Sequence, residues 1–197
     1  MESSLLHIIS HTDLDGVTAA AVAWRRWQPS RPVKVSLAGY GTVDALILET
    51  VEAGQDLVVV DLFCQDERTV ERLDRLHEAG RPPFLFDHHE TTAARYGNRP
   101  WAVVDTRFCA AKVYYRWLLE RGAPGMEELE RIVELANDRD LWINEMPDSR
   151  LWHALITLCG PYSVFSRLAG NPDAELAPHE RASSASGFPA SLEKTLY

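Results

Sequence analysis

The chain has 197 residues, of which 46% are hydrophobic and 25% are charged, as in an ordinary globular protein with one good core. Its net charge of -9 disfavours non-specific electrostatic binding of nucleic acid, although cations bound at acidic clusters would make the local field positive. No export signal and no apolar stretch of about 18 residues is visible, so we expect a cytoplasmic protein without a membrane partner.

The first two-thirds of the chain alternate between short apolar runs and helical patterns. Strands are predicted at residues 5–10, 33–38, 56–61, 83–87 and 101–105. Helices are predicted at residues 16–28, 42–53, 67–79 and 109–121. Strands separated by helices imply an α/β fold, with a mostly parallel sheet covered by helices on both faces.

A helical C-terminal part is predicted after Gly122. One helix contains residues 129–136, and two more lie at 151–158 and 162–168. From residue 171 the periodicity is lost, and residues 181–189 have the composition of a linker or a disordered tail. The chain therefore divides into one domain at residues 1–170 and a linker-like or disordered tail at residues 171–197.

Imidazoles and carboxylates gather where strands should end. The groups in chain order are His11, Asp13 and Asp15; Asp61; Asp87, His88 and His89; and Asp138 with Asp140. In open α/β sheets, ligands bind beyond the carboxyl ends of the strands, so three segments would deliver these side chains to one edge. Mixed oxygen and nitrogen donors favour a divalent ion, with Mn²⁺ preferred and Mg²⁺ or Co²⁺ as possible substitutes.

The spacing favours two neighbouring ions. Alternate residues of the first group flank both ions, Asp61 bridges them, and His88 with Asp138 completes the second. Such a pair of ions activates a hydroxide for in-line attack at phosphorus. His89 follows a ligand directly and is free to contact a phosphate oxygen or to protonate the leaving group. Each motif alone also fits a turn, a solvated histidine pair or a helix end, but together they favour a site.

The ordered set resembles motifs one to four of the DHH phosphoesterase superfamily, over about residues 5 to 170. Its members are the string from His11 to Gly16, Asp61 after a valine run, Asp87-His88-His89, and Asp138. The resemblance implies hydrolysis of phosphodiester or phosphoanhydride bonds by a domain with two Mn²⁺. It implies that His11, Asp13 and Asp61 hold one ion, and that Asp15, Asp61, His88 and Asp138 hold the other. Asp87 would orient a ligand, and His89 would contact substrate, making these two the catalytic residues.

The fourth motif offers two aspartates. Related sequences tend to place an aromatic residue four positions after the ligand, which is the spacing of Asp138 and Trp142. Asp140 lies two residues before the same tryptophan and could support the site through water or through Arg139. The sequence therefore favours Asp138 as the ligand and Asp140 as support.

The Asp-Arg-Asp-Leu-Trp string and the Cys109-Ala110-Ala111 turn resemble the branch of nanoRNases and cyclic-nucleotide phosphodiesterases. Free N–H groups at this turn could receive a phosphate, with Arg107 and Lys112 as further contacts. A tightly packed helix start and ordinary surface charge are equally good interpretations. That branch usually adds a glycine-rich substrate-binding domain, apparently absent here. A homo-oligomer or a separate substrate-binding chain would then close the cleft.

The leading hypothesis is a Mn²⁺-dependent phosphodiesterase acting on short oligonucleotides or small nucleotide phosphodiesters. An inorganic pyrophosphatase or exopolyphosphatase would share the metal chemistry, but would be expected to carry a cluster of lysines and arginines in a second domain. A catalytically silent scaffold with the same fold is the alternative outside enzymology. It would need none of the predicted ligands.

Overall fold

The computed structural model describes residues 4–186. Within that range the strands are β1 (Leu6–Ser10), β2 (Val33–Leu37), β3 (Asp56–Val60), β4 (Phe84–Asp87) and β5 (Ala102–Val104). The first five helices are α1 (Leu14–Trp27), α2 (Val43–Glu52), α3 (Glu67–Glu78), α4 (Glu90–Tyr96) and α5 (Ala110–Glu120). After a 3₁₀ turn (Glu127–Leu129) come α6 (Glu130–Asp140), α7 (Pro147–Cys159), α8 (Pro161–Gly170) and α9 (Pro178–Ser186).

The five strands form one sheet in the order β2-β1-β3-β4-β5, and every pairing is parallel. Ser10 at the end of β1 pairs with Leu37 on one side and Val60 on the other. The chain moves outward from β1 to β2 and then returns to the opposite side, so the strand order reverses between β1 and β3. Ligands of open α/β sheets bind at such a reversal, beyond the carboxyl ends of the strands.

Both faces of the sheet are covered, which explains the unbroken apolar runs of the central strands. Ile8, Val60 and Phe86 belong to the core shared with α1 and α5 to α8. Ile9 and Val59 belong to a second core, shared with α2 and α3. The α/β fold with helices on both faces and a helical C-terminal part is confirmed. Among residues 4–186, no helix is long and apolar enough to cross a membrane.

The five predicted strands and the seven predicted helices are all present, with ends shifted by a few residues. Two helices were not predicted. The seven-residue α4 is too short to show a helical period, and α9 lies in the predicted tail. Cys64 and Cys109 are buried, Cys159 is exposed, and all three cysteines are free.

The prediction of a linker-like tail is wrong for the part that the structure describes. Ala174 and Leu176 are buried in the core beside the C-terminal helices. The guanidinium of Arg181 in α9 donates to the carboxylate of Asp148 at 2.6 and 3.1 Å. Sparse apolar residues and ion pairs such as Arg167 with Glu180 attach this segment, and neither kind of contact produces a period in the sequence. Residues 187–197 lie outside the described residues, and the domain boundary stays a prediction.

The turn from β1 into α1 depends on a close backbone approach. Asp13 caps α1, because its Oδ1 accepts a hydrogen bond from Gly16 N at 3.0 Å. A Cβ added at Gly16 would lie 2.5 Å from the carbonyl oxygen of His11 and 2.6 Å from its backbone nitrogen. Only glycine fits here without moving the turn that carries His11 and Asp13.

We therefore expect Gly16→Ala to lower the free energy of unfolding by about 1–3 kcal/mol, the usual effect of overpacking a site that cannot yield. Urea unfolding of the parent and the variant measures this difference. Gly41→Ala is the matched control, since nothing lies within 4 Å of a Cβ added there. Equal midpoints and slopes for the parent and Gly16→Ala would show that the turn relaxes freely.

Candidate metal and active site

The ends of β1, β3 and β4, with the segments that follow them, and the end of α6 bring eight side chains to one place. We call this place the acidic edge: His11, Asp13, Asp15, Asp61, Asp87, His88, His89 and Asp140. They form three overlapping groups: His11, Asp13 and Asp61; Asp15, His88 and Asp140; and Asp61, Asp87, His88 and His89. In each group the possible ligand atoms lie within 4.8 Å of one another. Asp61 and His88 each belong to two groups, which fits two adjacent ion positions.

Asp61 lies between the histidines of two groups. Its Oδ1 is 3.5 Å from His88 Nε2, and its Oδ2 is 3.9 Å from His11 Nδ1. The residue has φ +59°, a conformation uncommon outside glycine, and its backbone N–H donates to Phe86 O. Its Oδ2 is buried without a hydrogen-bond partner among residues 4–186. A buried, unpartnered carboxylate oxygen that faces imidazoles is chemically suited to a cation.

Burial and neighbouring carboxylates raise the pKa of two aspartates of the acidic edge, Asp61 and Asp15. Burial and the charges of Asp15 and Asp13 raise the pKa of Asp61 well above its ordinary value. Burial and the charges of Asp140 and Asp13 raise the pKa of Asp15 to about 7. In the described part of the chain, no lysine or arginine lies within salt-bridge distance of these four residues. Divalent cations would offset this repulsion, so the donor set fits a metal site.

The N-terminus of α5 holds Asp15. The backbone N–H groups of Ala110 and Ala111 donate to its two carboxylate oxygens, both at 2.7 Å. The positive end of a helix favours a negative charge at this position. The Cys109 N–H donates instead to Asn137 Oδ1 at 3.1 Å. The suggestion that these N–H groups receive a phosphate is therefore wrong: Asp15 and Asn137 occupy them, as in the alternative of a tightly packed helix start.

The structure reverses the choice between Asp138 and Asp140. Asp138 is buried, and its Oδ1 accepts from the backbone N–H groups of Glu145 and Met146 at 2.8 and 3.1 Å. Its Oδ2 accepts from Ser149 Oγ at 2.6 Å, so Asp138 holds the segment that leads into α7. Asp140 Oδ2 lies 3.5 Å from His88 Nε2 and joins the acidic edge. The geometry therefore favours Asp140 over Asp138 as a potential ligand, and the assignment itself stays a prediction.

Asp87 and His89 form a pair at the end of β4. His89 Nδ1 donates to Asp87 Oδ1 at 2.7 Å, and the same oxygen accepts from His88 N at 2.7 Å. This hydrogen bond and the charge of Asp87 raise the pKa of His89. Burial alone would raise the pKa of Asp87, but the hydrogen bond from His89 holds it below its ordinary value. The histidine is 40% exposed, so its ring can reach a ligand.

The two predicted phosphate contacts are engaged elsewhere. Arg107 donates to Asp105 at 2.7 Å, and Lys112 donates to Glu134 at 2.7 Å. A cavity of about 190 Å³ opens beside the acidic edge, and neither residue lines it. Its lining is Asp13, Leu14, Asp15, Arg139, Asp140, Trp142 and His153.

Apart from the apolar Leu14, three lining residues were not predicted as site residues: Arg139, Trp142 and His153. Arg139 and Trp142 belong to the fourth motif, and their closeness to Asp140 in the sequence could have identified them. His153 reaches the cavity from α7, which only the packing of the helices reveals.

A parallel sheet with a His and Asp cluster at its strand-order reversal is the arrangement expected of a DHH phosphoesterase domain, and comparison with known proteins confirms that resemblance. In sequence, the chain is 27% identical over 156 residues to oligoribonuclease NrnB of Bacillus subtilis (strain 168). The match covers 74% of this chain and 39% of the length of that relative. Comparison with models of protein families gives no match.

Solved structures share the fold. An uncharacterized protein from Helicobacter pylori G27 superposes with a TM-score of 0.64 at 20% identity, over 96% of this chain and 71% of that protein. RecJ in complex with Mn²⁺ from Thermus thermophilus gives 0.62 at 14% identity, over 93% of this chain and 34% of RecJ. An exonuclease RecJ bound to manganese gives 0.51 at 17% identity, over 97% of this chain and 60% of that chain.

The two aspartates of α6 should respond differently to substitution. We expect Asp140→Ala to reduce the Mn²⁺ bound per chain, because it removes an oxygen from the acidic edge. Asp138→Ala should keep the bound Mn²⁺ but lower the free energy of unfolding by about 1–3 kcal/mol, since buried donors lose their acceptor. Elemental analysis and urea unfolding of the metal-free proteins measure the two effects. Loss of Mn²⁺ from a folded Asp138→Ala variant would restore Asp138 as the ligand.

Proposed function

We propose that the chain is a Mn²⁺-dependent phosphodiesterase that acts on short oligonucleotides or small nucleotide phosphodiesters. The observation that carries this proposal is the set of overlapping His and Asp groups that share Asp61 at the strand-order reversal. Similarity to an oligoribonuclease, and to the fold of manganese-bound RecJ proteins, supports it. The chain spans only about 39% of the length of the oligoribonuclease, so activity and substrate are proposed for this chain independently.

We infer two ion positions from the overlap of the groups. His11, Asp13 and Asp61 would hold one ion, and Asp15, Asp61, His88 and Asp140 would hold the other. Mixed imidazole and carboxylate donors suit Mn²⁺, with Mg²⁺ and Co²⁺ as substitutes. When bound, such a pair of ions supplies positive charge to the attacking and leaving oxygens and lowers the pKa of water.

The chain's own residues supply orientation and a proton. Asp15 is fixed by two N–H groups of α5, and Asp87 fixes the ring of His89 through Nδ1. Because Asp87 raises the pKa of His89, this ring carries a proton more readily near neutral pH. Its Nε2–H would donate to a phosphate oxygen or to the leaving oxygen.

Small nucleotide substrates fit this site better than the alternatives. The cavity beside the acidic edge offers one arginine, Arg139, whereas pyrophosphate or polyphosphate carries several negative charges that require more cations. A silent scaffold would not need buried carboxylates that raise one another's pKa. The contacts suggested for Arg107 and Lys112, the cytoplasmic location and self-association stay predictions.

We expect the protein with Mn²⁺ to hydrolyse a dinucleotide faster than longer 5′-phosphorylated oligonucleotides, and to leave pyrophosphate intact. Asp61→Ala should remove both ions together and abolish turnover, because this residue belongs to two groups. Product chromatography and elemental analysis measure these effects. Asp173→Ala, at an exposed aspartate before α9, is the matched control and should behave as the parent. Hydrolysis of pyrophosphate but not of the dinucleotide would favour the pyrophosphatase hypothesis. Loss of only one ion from Asp61→Ala would reject the proposal that Asp61 is shared by both ions.

His89→Ala should keep both ions and lower kcat by about 10²–10⁴-fold, the typical contribution of a general acid. The loss should be much smaller on a nucleoside p-nitrophenyl phosphodiester, whose leaving group departs without a proton. His179→Ala, at an exposed histidine of α9, is the control for loss of an imidazole. Equal losses on both substrates would limit His89 to a phosphate contact, and parent-like kcat on the dinucleotide would reject any role in the reaction.

A further inference from the structure

We propose that the cavity beside Asp140 is a nucleoside subsite, in which the base of the substrate stacks on Trp142 and its phosphate contacts Arg139. This inference rests on the proposed function, because it names the part of the nucleotide that the site recognises. It assigns binding roles to two residues that the metal chemistry leaves unused.

Trp142 is held in an exposed position at the cavity. It lies two residues after Asp140, has φ +56° and exposes 57% of its surface. The turn that presents it is fixed by two hydrogen bonds: Asn144 Nδ2 donates to Trp142 O at 2.7 Å, and Ile143 N donates to Asp138 O at 3.0 Å. A large aromatic ring is thus held in water by a turn anchored to the same helix end as the acidic edge. Every nucleobase has a π-face that can stack on such a ring.

Arg139 covers one side of the indole. Its guanidinium carbon lies 4.2 Å from the ring centroid, and this stacking limits the positions of both side chains. Among the described residues, no carboxylate lies within salt-bridge distance of Arg139, whereas Arg107 and Lys112 are each paired. The guanidinium therefore keeps its donors for a ligand, and a phosphate is the anion that matches its geometry.

The size and charge of the cavity indicate one nucleoside unit. Its volume of about 190 Å³ lies below the 300–1,000 Å³ common for pockets that enclose drug-sized ligands. Its lining combines three carboxylates, from Asp13, Asp15 and Asp140, with the side chains of Arg139, Trp142 and His153. The carboxylates would face the cleaved phosphate through their cations, and Trp142 would face the attached nucleoside. A side chain of a peptide ligand could also stack on Trp142, but an unmodified peptide has no phosphate to contact Arg139.

The test compares two ligands that differ only in the base, AMP and ribose 5-phosphate, by calorimetric titration with Mn²⁺ present. The parent should bind AMP more tightly. Trp142→Ala should weaken AMP binding by about fivefold or more, the lower end of base stacking on an aromatic ring, and leave ribose 5-phosphate within about twofold. Trp142→Phe should keep most of the difference. Arg139→Met should weaken both ligands, because both carry the phosphate.

Leu119→Ala, at an exposed apolar residue of α5, is the control and should change neither affinity. Equal affinities of the parent for AMP and ribose 5-phosphate, or an equal loss of both in Trp142→Ala, would overturn the subsite. If the base-dependent difference disappears in Trp142→Ala but no phosphodiester is hydrolysed, the subsite stands and the proposed function fails. If a dinucleotide is hydrolysed but Trp142→Ala binds AMP as the parent does, the function stands and the subsite fails.

Discussion

Mutual repulsion among buried carboxylates is the constraint on which the structure of the acidic edge depends. Asp15 and Asp61 are 1% and 2% exposed, and burial together with the charges of neighbouring aspartates raises the pKa of both. The fold opposes this repulsion with backbone donors: the N-terminus of α5 holds Asp15, and His88 N and His89 N donate to Asp87. These donors fix the carboxylates without neutralising them, which leaves a concentrated negative charge whose natural counterpart is a divalent cation.

The positions of these carboxylates depend on contacts between the first and third strands. Ser10 Oγ lies 2.7 Å from Gly16 O and 3.0 Å from Val60 O, so this hydroxyl bridges the turn after β1 and the end of β3. The close approach of Gly16 to His11 fixes the other side of the same turn. His11 and Asp61 therefore come from separate segments but are positioned by one small packing unit. A change in that unit would move both halves of the site.

Sequence patterns predicted the sheet and most of the acidic edge, because apolar runs locate buried strands and ligand-type residues follow their ends. The choice between Asp138 and Asp140 failed for a geometrical reason. At 3.6 residues per turn, residues two positions apart in the sequence are rotated by about 200° around the helix axis. Asp138 and Asp140 therefore face nearly opposite sides of α6. Residue spacing alone does not give the rotation of α6 about its axis. The contact of α7 with this cavity, through His153, likewise depends on helix packing.

The negative charge of the chain implies an order of binding for the metal ions and the substrate in the proposed reaction. With a net charge of -9 and a cluster of aspartates at the acidic edge that no lysine or arginine among the described residues neutralises, the site without bound cations disfavours a phosphodiester. Two divalent ions would reverse the local field, while in the proposed subsite Trp142 would stack on the base and Arg139 would contact the phosphate. In the proposed function, metal binding therefore precedes productive substrate binding. In this proposal the ions held at the acidic edge would determine which bond is cleaved, and the subsite around Trp142 would determine which nucleotides bind.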